Sequence, residues 1–173
     1  MSLQGFDIVL AIRLLRPATT LAELATELGV VPSQVHSSIA RLALSGLVRP
    51  GTRNTNRHAL REFIEHGVRY AFPGQVGREV LGVPTAHSAP PIVDEIDAIE
   101  SIVWPAKESP QAVRGLSMTP LYANASVLVE RSPHTYAIAT LVDVFRVGRV
   151  RERAIATRRL NELLYATATA TDV

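Results

Sequence analysis

Apolar positions in the first fifty residues recur at helical spacing in three successive runs, each closed by a residue that breaks helices. From Leu3 to Leu15, the residues Phe6, Val9, Leu10, Ile12 and Leu14 fall on one broad helical face. Pro17 ends that run, because a proline and its predecessor both resist helical continuation. Thr19 or Thr20 then caps a short second helix, with Glu23 at capping-box spacing from Thr20 and a buried stripe of Leu21, Leu24 and Leu28 that stops at Gly29. Val30, Val31 and Pro32 make a turn, and Ser33 stands at the cap of a third helix whose inner stripe is Val35, Ile39 and Leu42. Gly46 offers a left-handed exit into the short extended segment Leu47-Val48-Arg49.

The pattern continues with a fourth helix from Asn56 to Tyr70 carrying Leu60, Phe63, Ile64 and Val68. Tyr70-Ala71-Phe72 and Glu79-Val80-Leu81 flank a Pro73-Gly74 turn signal and read as a hairpin, and Pro84 to Pro91 (PTAHSAPP) as a linker or strap. An acidic segment with Asp94, Glu95, Asp97 and Glu100 runs into Val103-Trp104-Pro105. Ser132-Pro133 opens another helix, since serine suits the cap and proline the first helical position. A last helix spans about Arg149 to Tyr165 with Ala156, Leu160, Leu163 and Leu164 on one side, and the tail from Ala166 to Val173 is expected to fray. The predicted fold class is mainly α (α+β), with one domain over residues 1–91 and a helical region over residues 92–173.

Charge changes this picture more by its position than by its total. The chain has 173 residues and a formal net charge of only +2. Yet no acid occurs between Glu27 and Glu62, a window that holds Arg41, Arg49, Arg53, Arg57 and Arg61 with His36 and His58. Lys107 is the single lysine, and guanidinium is the better fork for phosphate oxygens and guanine edges. A second basic cluster, Arg146, Arg149, Arg151, Arg153, Arg158 and Arg159, suits DNA backbone contacts, a charged outer helix face, or a match to the acids at residues 94–100.

The segment Thr20 to Val48 (TLAELATELGVVPSQVHSSIARLALSGLV) resembles the helix-turn-helix of winged bacterial regulators of the MarR, GntR and IclR groups. The resemblance rests on T-x-x-E-L-A-x-x-L-G-V, a serine opening the next helix, the spacing of Ile39 and Leu42, and the closing Gly46-Leu47-Val48. It implies a winged helix-turn-helix whose second helix reads duplex DNA. The residues make a case of their own. With Val35, Ile39 and Leu42 turned inward, the outer face offers Ser33, Gln34, His36, Ser37, Ser38 and Arg41, and it carries no acid. A helix in the major groove needs short polar side chains near its N-terminus and a cation for guanine or phosphate. Gln34, His36 and Ser37 are the expected base readers, Arg41 a base or phosphate contact, and Ser33 a phosphate clamp. Arg49, Arg53 and Arg57 beside the polar GTRNTNR connection suit phosphates. The wing is either residues 47–57 or residues 70–83.

Composition narrows the alternatives. There is no cysteine, which removes disulfides, thiolate zinc sites and thiol nucleophiles together. The histidines lack metal-ligand spacing, and no nucleophile elbow, phosphate loop or dinucleotide fingerprint occurs. No catalytic residue, cofactor or metal is expected. No apolar stretch approaches the roughly 20 residues of a membrane span, so a cytoplasmic protein is expected. The leading expectation is a homodimeric, sequence-specific transcriptional regulator of double-stranded DNA. Its rival is an antitoxin-type protein that controls its own operon and binds a partner protein through residues 92–173.

Overall fold

A computed structural model describes residues 1–18 and 20–166. It is a mainly helical α+β structure, 54% helix, with eight α-helices and one three-stranded sheet among the described residues. The tail expected to fray lies outside the described residues beyond Ala166. The chain packs as two compact units, each drawn from two separated stretches: Met1–Leu60 with Pro120–Tyr136, and Arg61–Thr119 with Ala137–Val173. This partition cuts across the boundary expected at residue 91, because the sheet pairs strands from both sides of that position.

The first unit is built on α1 (Gly5–Arg13), α2 (Leu21–Leu28) and α3 (Pro32–Ser45). Every residue from Phe6 to Ile12 is buried, so α1 is enclosed on all sides rather than half exposed. Thr20 caps α2 by accepting a hydrogen bond from the Glu23 amide at 3.0 Å. Gly29 and Gly46 take left-handed conformations, φ 70° and 80°, that end α2 and α3. Ser33 is not the cap of α3. Pro32 is the first helical residue and Val31 the cap, since a proline at that position loses no needed N–H and arrives with helical φ.

Residues 120–136 complete this unit by serving the end of α2. Tyr122 Oη donates to the Leu28 carbonyl at 2.8 Å, Asn124 Nδ2 to that of Gly29 at 2.6 Å, and an Arg131 Nη1 to that of Thr26 at 2.7 Å. Carbonyls at a helix C-terminus have no intrahelical partner, and here side chains 94 to 105 residues away supply one. Phe6 and Tyr122 meet edge to face, and Gly5 leaves room for the Leu121 carbonyl, which a Cβ would approach to 2.0 Å. The short α6 (Leu128–Arg131) follows, and α7 (Pro133–Val147) starts at the expected proline.

In the second unit, β1 (Val76–Thr85) pairs antiparallel with both β2 (Ile102–Pro105) and β3 (Val113–Met118), which run parallel to each other, closing a small barrel. Gly82 is in register with both Pro105 and Val113, where β1 passes from one partner to the other. A Cβ there would lie 2.1 Å from the Trp104 carbonyl oxygen. The hairpin expected over residues 70–83 does not form. α4 (Arg57–His66) is followed by α5 (Val68–Ala71), which takes Tyr70 and Ala71, while Glu79 to Leu81 pair with β3. Local turn signals around Pro73-Gly74 lost to a longer-range pairing. The stretch Pro84 to Pro91 is no linker either: Thr85, Ala86 and Ala89 are buried. α8 (Val150–Tyr165) buries Ala156, Leu160 and Leu164 as its periodicity predicts, while Leu163 is only half-buried. No helix among the described residues is long and apolar enough to cross a membrane.

Candidate nucleic-acid interface

The outer face of α3 follows from its stripe. Of the expected inner stripe, Val35 and Leu42 are fully buried and Ile39 is half-buried, which leaves Ser33, His36 and Ser37 exposed and Gln34 half-buried near the helix N-terminus. None of these four side chains forms a hydrogen bond within the described residues. The face has no acid, and α3 contributes no acidic residue at all.

Beyond Gly46 the chain folds back on itself in a minimal hairpin. Val48 and Thr55 form an antiparallel bridge, the Arg49 amide donates to Asn54 O at 3.0 Å, and the Asn56 amide to Leu47 O at 2.8 Å. Gly51 turns the tip at φ 73° with open space around it, and Thr52 closes the turn through its amide and hydroxyl, both donating to Arg49 O. Arg49 and Arg53 are exposed on this hairpin. Thr55 Oγ1 anchors it by donating to Ala11 O at 2.7 Å, and Asn56 Oδ1 then caps α4 by accepting from the Ala59 amide at 3.1 Å. Arg57 is half-buried and donates to Leu15 O at 3.3 Å. Of the two stretches that suit a wing, residues 47–57 form a hairpin and residues 70–83 do not.

Two residues expected on the outer face are inside. Arg41 is 9% exposed and Ser38 fully buried, and both serve Asp7, which is fully buried on α1. Asp7 accepts from Arg41 Nε and Nη2, each at 2.8 Å, from Ser38 Oγ at 2.6 Å and from the Gln4 amide at 2.8 Å. The side-chain hydrogen bond to Asp7 is the main reason the Arg41 pKa is raised. Arg41 is therefore committed to a buried ion pair with Asp7 and does not lie on the outer face where a base or phosphate contact was expected. The sequence carried a signal for this: Asp7 is the one acid in the first twenty-two residues and lies within an apolar run. A buried carboxylate needs a partner, and Ser38 with Arg41 at i, i+3 on α3 supplies a matching pair of donors.

The C-terminal arginines are mostly answered by the second unit's own acids and carbonyls. Arg146 pairs with Asp143 at 2.7 Å and donates to the carbonyls of Phe72 at 2.7 Å and Thr119 at 3.1 Å. Arg153 donates to Gly148 O at 2.6 Å. Arg158 and Arg159 both pair with Glu95, and the hydrogen bond from Arg159 holds the Glu95 carboxyl below its ordinary pKa. Of the three readings open for this cluster, the match to the acidic segment holds within one chain for Arg158 and Arg159, and the exposure of Arg151 and Arg158 on α8 also fits a charged outer helix face. Arg149 and Arg151 remain exposed.

Among the described residues, no group of three or more histidine, aspartate or glutamate side chains is arranged to hold a metal ion. Comparison with protein-family models, curated proteins and solved structures found no match to this chain.

Proposed function

We propose that this protein is a sequence-specific transcriptional regulator that binds double-stranded DNA as a winged helix-turn-helix, with α2 and α3 as the paired helices and residues 47–57 as the wing. The observation that carries the reading is the exposed, acid-free N-terminal half of α3 beside a hairpin bearing Arg49 and Arg53. On this reading Gln34, His36 and Ser37 reach base edges, where each good contact discriminates by about 1–3 kcal/mol. Ser33 and the start of the helix meet a phosphate. Arg49, Arg53 and Arg57 contact the backbone and supply affinity that falls with salt. A homodimer would read two half-sites and multiply the discrimination of one helix.

The test is selection of the full chain on a randomised duplex library at low salt, followed by anisotropy titration on the enriched sequence. The expected result is an enriched site bound with steep salt dependence. Gln34→Ala should relax the preference at one position, and Arg49→Ala and Arg53→Ala should each reduce the salt slope by about one without changing the preferred sequence. No enrichment together with no binding to any duplex at low salt would overturn the reading.

A further inference from the structure

A cavity of about 200 Å³ lies in the second unit where the chain leaves β1 and where α8 begins. Its apolar wall is Ala86, Ile102, Val144 and Val147. Its polar lining includes His87, Arg149 and Glu152. Concave sites that combine an apolar wall with a few convergent polar groups are the usual form of a small-molecule site. By liquid volume, this one has room for roughly seven waters, and so for a ligand of a similar number of non-hydrogen atoms.

Two features set the cavity apart from an accidental gap. Ala86, on its wall, has φ +52° and is the one non-glycine residue at positive φ among the described residues. An L-residue is held there only when its surroundings impose it, and such positions cluster at ligand sites. The second feature is charge. Arg149 and Glu152 line the same space with opposite charges, yet neither forms an ion pair among the described residues. Glu152 Oε2 accepts from the Arg149 backbone amide at 2.8 Å, which fixes the carboxylate and leaves Oε1 available. His87 is tethered through Nε2, 2.9 Å from Glu100 O. A nitrogen facing a carbonyl must carry a proton, so this contact makes Nε2 the donor.

A purely anionic ligand would meet Glu152, and a purely cationic one would meet Arg149. A molecule carrying both charges a short distance apart satisfies both, and the apolar wall calls for a small hydrocarbon side chain beside them. We infer that the cavity bounded by Ala86, Val144, Arg149 and Glu152 binds a free apolar α-amino acid of the size of valine or leucine, its carboxylate on Arg149 and its ammonium on Glu152. The inference stands independently of the DNA-binding reading, since it concerns a different group of residues and is read by a different assay.

The experiment is isothermal titration of the full chain with L-valine and L-leucine, compared with valinamide, which lacks the carboxylate, and 3-methylbutanoate, which lacks the amine. One or both amino acids should bind saturably with a Kd on the order of 0.1–1 mM, and each control should bind at least tenfold more weakly. Arg149 is exposed, so Arg149→Gln should leave the unliganded Tm unchanged while weakening the amino acid at least tenfold. Glu152→Gln should weaken it similarly. If that variant loses its helix cap and destabilises the chain, the comparison of valine with 3-methylbutanoate tests the same contact on the native protein. Absence of saturable binding by both amino acids, equal affinity for 3-methylbutanoate, or undiminished affinity in Arg149→Gln would each overturn the inference.

Discussion

Among the described residues, each unit hides one aspartate completely, but the two carboxylates are held in different company. Asp7 on α1 takes its cation from another helix: Arg41, 34 residues away on α3, meets it through two nitrogens, and Ser38 adds a third side-chain donor. Asp143 on α7 takes its cation from the same helix, Arg146 at i, i+3. Its long-range partners are uncharged: Thr85 Oγ1 and Trp104 Nε1 both donate to Oδ2 at 2.7 Å. The first arrangement ties two helices together by charge, whereas the second ties a helix to two strands by neutral donors. The remaining partners differ too. Removing Asp7 leaves Arg41 buried with only a long 3.4 Å contact to Gln4 Oε1, while removing the charge of Asp143 leaves Arg146 two backbone carbonyls.

That difference predicts unequal costs. Asp7→Ala should be the most damaging change, destabilising by about 3–5 kcal/mol because a buried guanidinium loses its counter-charge. In a chain of this size that lowers Tm by roughly 6–20 °C by calorimetry or circular dichroism. The paired replacement Asp7→Leu with Arg41→Met should recover most of the loss, since the desolvation cost disappears with both charges. If the double variant is as unstable as Asp7→Ala, charge is not what joins α1 to α3.

Asp143→Asn should cost less, about 1–3 kcal/mol, and should change the pH dependence of stability. Burial raises the Asp143 pKa above its ordinary value of 3.8, outweighing Arg146, Thr85 and Trp104, which act the other way. The folded protein therefore holds this proton to a higher pH than the unfolded chain does. The stability contributed by Asp143 falls as pH rises from about the ordinary value through the folded-state value, and then levels off. Asparagine does not titrate, so the Tm advantage of the parent over Asp143→Asn should shrink across that interval. A constant difference from pH 3 to pH 8 would show that burial does not dominate.

The smallest effect is expected at Glu95, whose pairs with Arg158 and Arg159 are open to water. Glu95→Gln should move Tm only slightly, and the shift should vanish at high salt because exposed pairs are screened. A large, salt-independent loss would place this contact with the two buried ones.

These pairs also mark how far the sequence could be read. α1, α2, α3, α7 and α8 follow from apolar spacing together with local end signals at Thr20, Gly29, Gly46 and Pro133, and each appears within a few residues of its expected place. Of the sheet, the strand character of Glu79 to Leu81 was legible, but its partners were not. β1 is one ten-residue strand that changes partners at Gly82, and the register that closes it depends on residues 102–118. The outer face of α3 was legible in part: Ser33, His36 and Ser37 are exposed as expected, but Ser38 and Arg41 face inward. A stripe of apolar residues identifies the centre of a buried face and not its width. At its margin, a polar residue is drawn inside when a partner waits there.

Local sequence sets where most helices begin and end, because those events depend on neighbours within four positions: a cap, a proline, a glycine at positive φ. It also determined that residues 28–61 hold no acid. Tertiary structure decided which charges stay on the surface. Arg41 and Arg49 are alike in sequence and eight positions apart, yet one is enclosed against Asp7 and the other lies exposed on a hairpin. Burying a guanidinium is favourable only where an oppositely charged group is fixed within hydrogen-bond reach, and that proximity arises only when distant segments pack.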